Sequence, residues 1–341
     1  MEAKEFLFRN KKISYKTYGN GPTIVLLHGF GEDASVWDNQ LDALKDYHLI
    51  IPDLPGTGNS ETIDDMSMEG MAEVVREIIA PSGSPGGGEV RPPHPEQHRD
   101  PKGGKTNTQP SLEIEPSKSL SSSSNNRNNE NQHLQNKQVA STSEGCAAAT
   151  PPLGDLGGRG AVLIGHSMGG YITLAFAEKY SHLLRGIGLF HSSPFADDDE
   201  KKQTRNKGIS FIKSHGGFAF LKTAIPNLYS EITQKERPHL IEQQIEAARN
   251  FSTATLVSYY EAMMQRPDRT NVLQQTHLPV LMIAGKFDKA VPVEASLKAT
   301  LLPQLSYIHV LESSGHMGMI EEAEESNRII KQYLQSIENL T

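Results

Sequence analysis

A single cysteine, Cys146, excludes an intrachain disulfide, and nothing around it suggests an activated thiolate. It reads as an incidental exposed thiol. No stretch approaches the roughly 18 apolar residues that a membrane-spanning helix needs. The opening segment, MEAKEFLFRNKK, carries charge from Glu2 onward and has no apolar h-region, so no signal peptide is expected and the default is a soluble cytoplasmic protein. A basic face is also missing. The net charge is -8, which argues against a nucleic-acid partner. The most local absence is in residues 81–158, which contain no Phe, Trp or Tyr and are dominated by Gly, Pro, Ser, Asn and Gln. Such a segment cannot bury enough apolar surface to offset its ordering entropy, so it is expected to be a disordered insert. His94, His98 and His133 lie within it at spacings that match no metal-ligand pattern.

Outside that block the patterning is regular. Glu5–Asn10 and Lys12–Gly19 alternate and predict an opening β-hairpin. Continuous apolar runs at Thr23–Leu27, His48–Pro52, Ala161–Ile164, Leu184–Phe190, Pro279–Ala284 and Tyr307–Leu311 read as strands, most of them buried on both faces. Between them, Ser35–Leu44, Ser67–Ala80, Tyr171–Tyr180, Val293–Leu301 and Glu321–Ile337 read as helices. Ser192–Gln275 lacks strand signals and holds helical stretches, including Arg237–Asn250 and Thr253–Gln265. The predicted class is therefore α/β, with a mostly parallel β-sheet and helices on both faces. Residues 1–80, 159–191 and 276–341 would form the core and 192–275 a helical lid. The 81–158 insert joins a helix to the start of a strand, so it should emerge away from the strands' C-terminal edge, as a tether or a segment for protein contacts.

The chemistry centres on Gly165-His166-Ser167-Met168-Gly169, between the AVLI strand and an apolar-periodic helix. A sharp strand-to-helix turn lifts its central hydroxyl clear of the sheet, and small residues two before and two after let the backbones pass closely. Ser167 is thus the candidate nucleophile. A serine hydroxyl needs a base. His316, in SSGHMG after the last strand, projects from the sheet edge where open parallel sheets gather functional groups. His191 and His28 also end strands; His28 is expected to shape its own turn, and His191 has no clear role. Asp288, after PVLMIAGKF, is the candidate acid that would orient the base. Asp197 is its rival, but its DDDE run reads as a solvated loop. Backbone N–H groups of Met168 and of Phe30, in HGFG after the first parallel strand, would form the oxyanion hole.

Together, IVLLHGFGEDASVW, IIPDLPGTGNS, VLIGHSMGGYITLAFAEKY, VLMIAGKFDKAVP and SSGHMGMIEE resemble the α/β-hydrolase superfamily, in the branch of small serine esterases and related hydrolases. The resemblance runs from about Ile13 to Ile337, apart from the insert. It implies the order Ser167, Asp288, His316 and a structural role for Asp53 and Gly56. Relatives that open epoxides or cleave carbon–halogen bonds usually carry aspartate where this chain has Ser167, so those chemistries are not expected. The aromatic and Met side chains of 192–275, with no Arg or Lys cluster to mark an anionic group, suggest a small, largely uncharged ester or thioester. Two alternatives stand beside it: carbon–carbon bond or enol-lactone hydrolysis by the same triad, and a ligand-binding protein of this fold without turnover. No cofactor or metal is expected, because protein groups can supply every proton transfer.

Overall fold

The computed structural model describes residues 1–80 and 160–340. The expected insert, with Cys146 and its three histidines, lies outside the described residues.

The opening alternation folds as predicted. Strands β1 (Glu2–Phe8) and β2 (Lys11–Tyr18) pair antiparallel, joined through Arg9 and Asn10. Both turn residues have positive φ (48° and 65°), as a two-residue hairpin turn matched to strand twist demands. The apolar runs become β3 (Thr23–Leu27), β4 (His48–Pro52), β5 (Ala161–His166), β6 (Leu184–Phe190), β7 (Val280–Gly285) and β8 (Ser306–Leu311). The eight strands form one sheet in the order β1-β2-β4-β3-β5-β6-β7-β8, parallel from β4 to β8. Alternate side chains of β3 enter two cores. Val25 and Leu27 pack with Met71, Val75 and Phe176, whereas Ile24 and Leu26 pack with Trp37, Ile329 and Leu334. Helices therefore cover both faces: α1 (Met68–Ile79) and α2 (Met168–Tyr180) one side, and α11 (Ala323–Glu338) the other.

Between β6 and β7 the chain is helical: α3 (Asp199–His215), α4 (Gly217–Ala224), α5 (Glu231–Glu236), α6 (Pro238–Ala247), α7 (Thr253–Gln265) and α8 (Thr270–Gln275). After β7 come α9 (Val293–Ala299) and, following β8, the short α10 (Gly318–Glu321). No helix among the described residues is long and apolar enough to cross a membrane.

One element differs from expectation. Ser35–Leu44 is not an α-helix but two 3-10 turns, Ala34–Gln40 and Asp42–Leu44. Asp33 caps the first through Ser35 N–H (2.8 Å), and Asp53 Oδ1 accepts from Ala34 N–H (3.1 Å). These anchors and the three-residue bonds Leu41 N to Asp38 O, Leu44 N to Leu41 O and Tyr47 N to Leu44 O tighten the winding. The apolar spacing that suggested an α-helix still works, since Trp37 and Leu44 are fully buried.

The closing helix is fastened by more than its apolar stripe. Tyr333 is buried, and its hydroxyl reaches the carbonyls of Ile187 (2.9 Å) and Pro279 (2.7 Å), tying α11 to the sheet. Tyr333→Phe should lower unfolding stability by about 1–2 kcal/mol, because two buried carbonyls lose a donor. Denaturant titration checks this; an unchanged midpoint would mean that the hydroxyl contributes nothing.

Candidate active site

Every predicted site residue stands at the C-terminal end of a parallel strand. Phe30 follows β3, Ser167 follows β5, Asp288 lies just beyond β7, and His316 follows β8. Ser167 has φ 50° and ψ -115°, a conformation that side chains rarely adopt. Neighbouring glycines make the turn sterically allowed. A Cβ on Gly165 would stand 2.1 Å from Gly169 O, and one on Gly169 2.6 Å from Leu27 O. Met168 is the first residue of α2, so its N–H has no acceptor within the helix. No described residue accepts from Phe30 N–H. The loop carrying it is close: a Cβ on Gly29 would lie 3.1 Å from Ser167 Cβ.

Asp288 is buried and its carboxylate is saturated. Oδ1 accepts from Ala290 and Val291 N–H, both at 2.8 Å. Oδ2 faces His316 Nδ1 at 2.7 Å and His191 Nδ1 at 3.0 Å. Burial alone would raise its pKa, but His316 and the His191 hydrogen bond outweigh that and hold it well below the usual carboxylate range. His316 shows the reverse balance: burial pulls its pKa down, Asp288 pulls it up further, and the net direction is upward. The ring's Nε2 and Ser167 Oγ are not hydrogen-bonded to each other or to any other described residue. Such contacts are often long without substrate. The two residues are nevertheless fastened side by side. His166, which precedes Ser167, reaches His316 O through Nε2 (2.9 Å), and the His166 and His316 rings are 4.9 Å apart.

Three buried side chains around Ser167, Asp288 and His316 carry no sequence signal of their own. His191, without a clear role in the sequence, holds Asp288. Backbone N–H groups point at both ring nitrogens, Gly318 at Nε2 (3.2 Å) and Gly285 at Nδ1 (3.1 Å), and the ionised Asp288 Oδ2 at 3.0 Å from Nδ1 draws the single proton to that side. Burial pushes its pKa down to about 4, so the ring is neutral near pH 7. Glu32 Oε2 accepts from Gly29 N–H (2.7 Å) and meets His166 Nδ1 (2.9 Å). Both His166 nitrogens thus face oxygen atoms, Glu32 Oε2 and His316 O. Burial pushes Glu32 up, but the His166 charge and hydrogen bond more than offset it. Glu321 accepts from Gly315 (2.8 Å), Met317 (3.2 Å) and Ser230 (2.9 Å), fixing the His316 loop on both sides of the histidine.

Asp197 is not in a solvated loop. It is buried and paired with Arg205 and Arg266, so it serves as a tie between helices, far from the role of a triad acid. The rest of its acidic run begins α3, where Asp198 caps Lys201 N–H (2.8 Å). His28 Nδ1 meets Gly29 O (2.9 Å) within its own turn, and its Nε2 also accepts from Leu54 N–H (3.0 Å), joining that turn to the loop after β4. Asp53 accepts from Ala34 and Asn59 N–H. The ligand atoms of His191, Asp288 and His316 lie within 4.8 Å of one another, near enough to surround an ion. Their hydrogen bonds already use the same atoms, with N–H protons on the Asp288-facing nitrogens.

The family described as "Alpha/beta hydrolase family" matches residues 128–329, more than half of the chain, and the one described as "alpha/beta hydrolase fold" matches residues 22–85. The chain belongs to the alpha/beta hydrolase family. Among its relatives, the hydrolase is 26% identical over 198 residues to a proline iminopeptidase of Saccharolobus solfataricus, covering 52% of this chain and 63% of that protein. It is 39% identical over 70 residues to a pimeloyl-[acyl-carrier protein] methyl ester esterase of Aeromonas hydrophila, covering 20% of this chain and 28% of the other. Both matches span less than two thirds of the relative's length. Among solved structures, a thermophilic esterase from Thermogutta terrifontis superposes with a TM-score of 0.72 at 22% identity, covering 99% of each chain. An enol-lactonase from Burkholderia xenovorans LB400 gives 0.70 at 16% identity, covering 97% of this chain and 100% of the other. At these identities the structural likeness establishes the fold.

The His191 shift makes a signed prediction. Its pKa falls from about 6.5 in the unfolded chain to about 4 in the folded one. The unfolded state therefore binds the extra proton between these values, and stability that is complete above pH 6.5 declines as the pH falls through that window. The loss should be on the order of 2–3 kcal/mol. His316, with its raised pKa, contributes in the opposite sense, losing its stabilisation as the pH rises through its folded value. Urea melts from pH 7 to 4.5 should show the decline, and His191→Asn should flatten it. Equal slopes in the two proteins would contradict the buried neutral ring.

Proposed function

We propose that this alpha/beta hydrolase is a serine hydrolase that cleaves a small, largely uncharged carboxylic ester or thioester through an acyl-enzyme intermediate. Ser167 is the nucleophile, His316 the base and Asp288 the acid that orients it. The observation that carries this reading is the 2.7 Å Asp288–His316 bond on a loop tied to the strained Ser167 turn. With Nδ1–H turned to Asp288, His316 offers Nε2 to the serine proton.

In the first step Ser167 Oγ gives its proton to His316 Nε2 and attacks the carbonyl carbon. Phe30 and Met168 N–H donate hydrogen bonds to the developing oxyanion. Collapse breaks the bond to the leaving oxygen or sulfur, which takes the proton from His316. Water, deprotonated by the same Nε2, then attacks the acyl carbon and releases the acid and free Ser167. Asp288, already saturated by hydrogen bonds, stays ionised and stabilises the imidazolium.

Residues 192–275 act as a lid in this account. Phe30 stacks on Tyr260 at 4.3 Å and meets Phe220 edge-on at 6.3 Å, which lays aromatic side chains from α4 and α7 against the oxyanion loop. The same apolar surroundings suit an uncharged acyl or alkyl group. Hydrolysis of an enol-lactone is the second reading, supported by the shared fold with the Burkholderia enzyme.

A fluorophosphonate probe should label the wild-type protein and leave Ser167→Ala unlabelled. On a panel of short-chain aryl esters, thioesters and enol-lactones, the esters or thioesters should turn over fastest, and Ser167→Ala should lower kcat by about 10⁴-fold or more. Faster lactone turnover would favour the second reading. Absence of both labelling and turnover would leave a ligand-binding protein of this fold.

A further inference from the structure

The backbone of His316 is held from two sides. Its carbonyl accepts from His166, beside the Ser167 turn, at 2.9 Å. Its N–H donates to Leu228 O, in the helical segment between β6 and β7, at 2.6 Å. Leu228 ends the 3-10 turn Ile225–Leu228, and Ser230 is the N-cap of α5. Gly315 lets these backbones approach: a Cβ there would stand 2.6 Å from Leu228 O and 2.7 Å from Ser230 N. Any side chain at that position would push the two segments apart.

Glu321 sits across the same seam. It is buried, and both of its carboxylate oxygens are engaged. Oε1 accepts from Gly315 N–H (2.8 Å) and Met317 N–H (3.2 Å), the residues on either side of His316. Oε2 accepts from Ser230 N–H (2.9 Å). One rigid group thus fixes the His316 loop relative to residues 228–230. That segment is fastened in turn to the helices around it. Gln234 Nε2 donates to the backbone carbonyls of Pro226 (2.9 Å) and Tyr229 (3.0 Å), and the buried Tyr229 hydroxyl bonds to Gln244 on α6. Lifting α5 and α6 would remove the acceptor of His316 N–H and the third donor of Glu321 in one movement.

We propose that Glu321 is a positioning residue for His316, and that through it and Leu228 the docked lid segment at residues 228–230 holds the base in register with Ser167. With His316 as the base of the serine mechanism, on which this role rests, the lid supports the base as well as covering the acyl group. Raising this end of the lid then switches the base off, so the docked segment is the competent state.

Three variants of the full chain separate this role from plain packing. Glu321→Gln keeps the shape but has one acceptor oxygen, so an amide that still serves Gly315 and Met317 turns its NH2 against Ser230 N–H. Ser230→Pro removes that N–H at a residue whose φ of -62° suits proline, after Tyr229 at φ -93° and ψ 150°, which suits the position before one. Ser230→Ala removes only the hydroxyl that caps α5 through Thr233 N–H (3.2 Å) and keeps the tie. On an aryl ester, per folded molecule, kcat and kcat/KM should fall together by roughly 10- to 100-fold in Glu321→Gln and in Ser230→Pro. Ser230→Ala should turn over like the wild type, and the double variant should lose no more than the worse single one, because both cut one contact. Wild-type kcat in Glu321→Gln or Ser230→Pro, losses that multiply in the double variant, or a loss in Ser230→Ala equal to that in Ser230→Pro overturns the proposal. If Glu321→Gln fails to fold, the two Ser230 variants decide. The His316 ring resonance in histidine-selective NMR reads the same tie without turnover: it should shift in Ser230→Pro and stay in place in Ser230→Ala. An unmoved resonance in Ser230→Pro overturns the tie, whereas a shifted one in a chain without turnover upholds it and counts against the hydrolase reading alone.

Discussion

Four donors converge on one buried carboxylate, and the active-site geometry depends on that convergence. Asp288 receives two backbone N–H groups of its own turn on one oxygen and two imidazoles on the other. A buried anion with fewer partners would be expensive. With four it stays ionised, keeps one orientation, and presents a fixed acceptor to His316. Because the two histidines come from the ends of β6 and β8, the same carboxylate also locks the edges of three neighbouring strands, β6, β7 and β8, around it.

Three histidine rings lie within 6 Å of one another and are bonded in different ways. His191 is driven neutral by burial and donates to Asp288. His166 bridges a carboxylate and a carbonyl, joining the loop after β3 to the loop after β8. His316 is left with one committed nitrogen and one free, the arrangement a proton shuttle requires. Separating the roles this way lets a crowded, buried site hold several ionisable groups without mutual repulsion deciding which one titrates.

The fold was legible in the sequence because its strands are short apolar runs with clear breaks, and parallel strands buried on both faces read that way. Ser167 was legible because the turn it occupies forces Gly165 and Gly169 on the sequence. Asp288 and His316 could be placed from their positions after strands. Glu32, His166, His191 and Glu321 were not legible: each acts through one tertiary contact, and a lone histidine or glutamate in a loop has no periodicity or spacing to mark it. Asp197 was misread for a related reason, since it pairs with Arg205 on the adjoining α3 and with Arg266, a long-range partner just past the end of α7. The 3-10 turns after Asp33 share their apolar spacing with an α-helix, and only the caps from Asp33 and Asp53 decide between the two.

The proposed chemistry requires that Asp288 raise the basicity of His316. Histidine-selective NMR on the full chain, with the His316 resonance assigned from a His316→Gln spectrum, measures this directly. The imidazole should titrate above the value of about 6.5 for a free side chain, and Asp288→Asn should move its midpoint downward. A His316 ring that titrates below 6.5, or one indifferent to Asp288→Asn, would contradict the account.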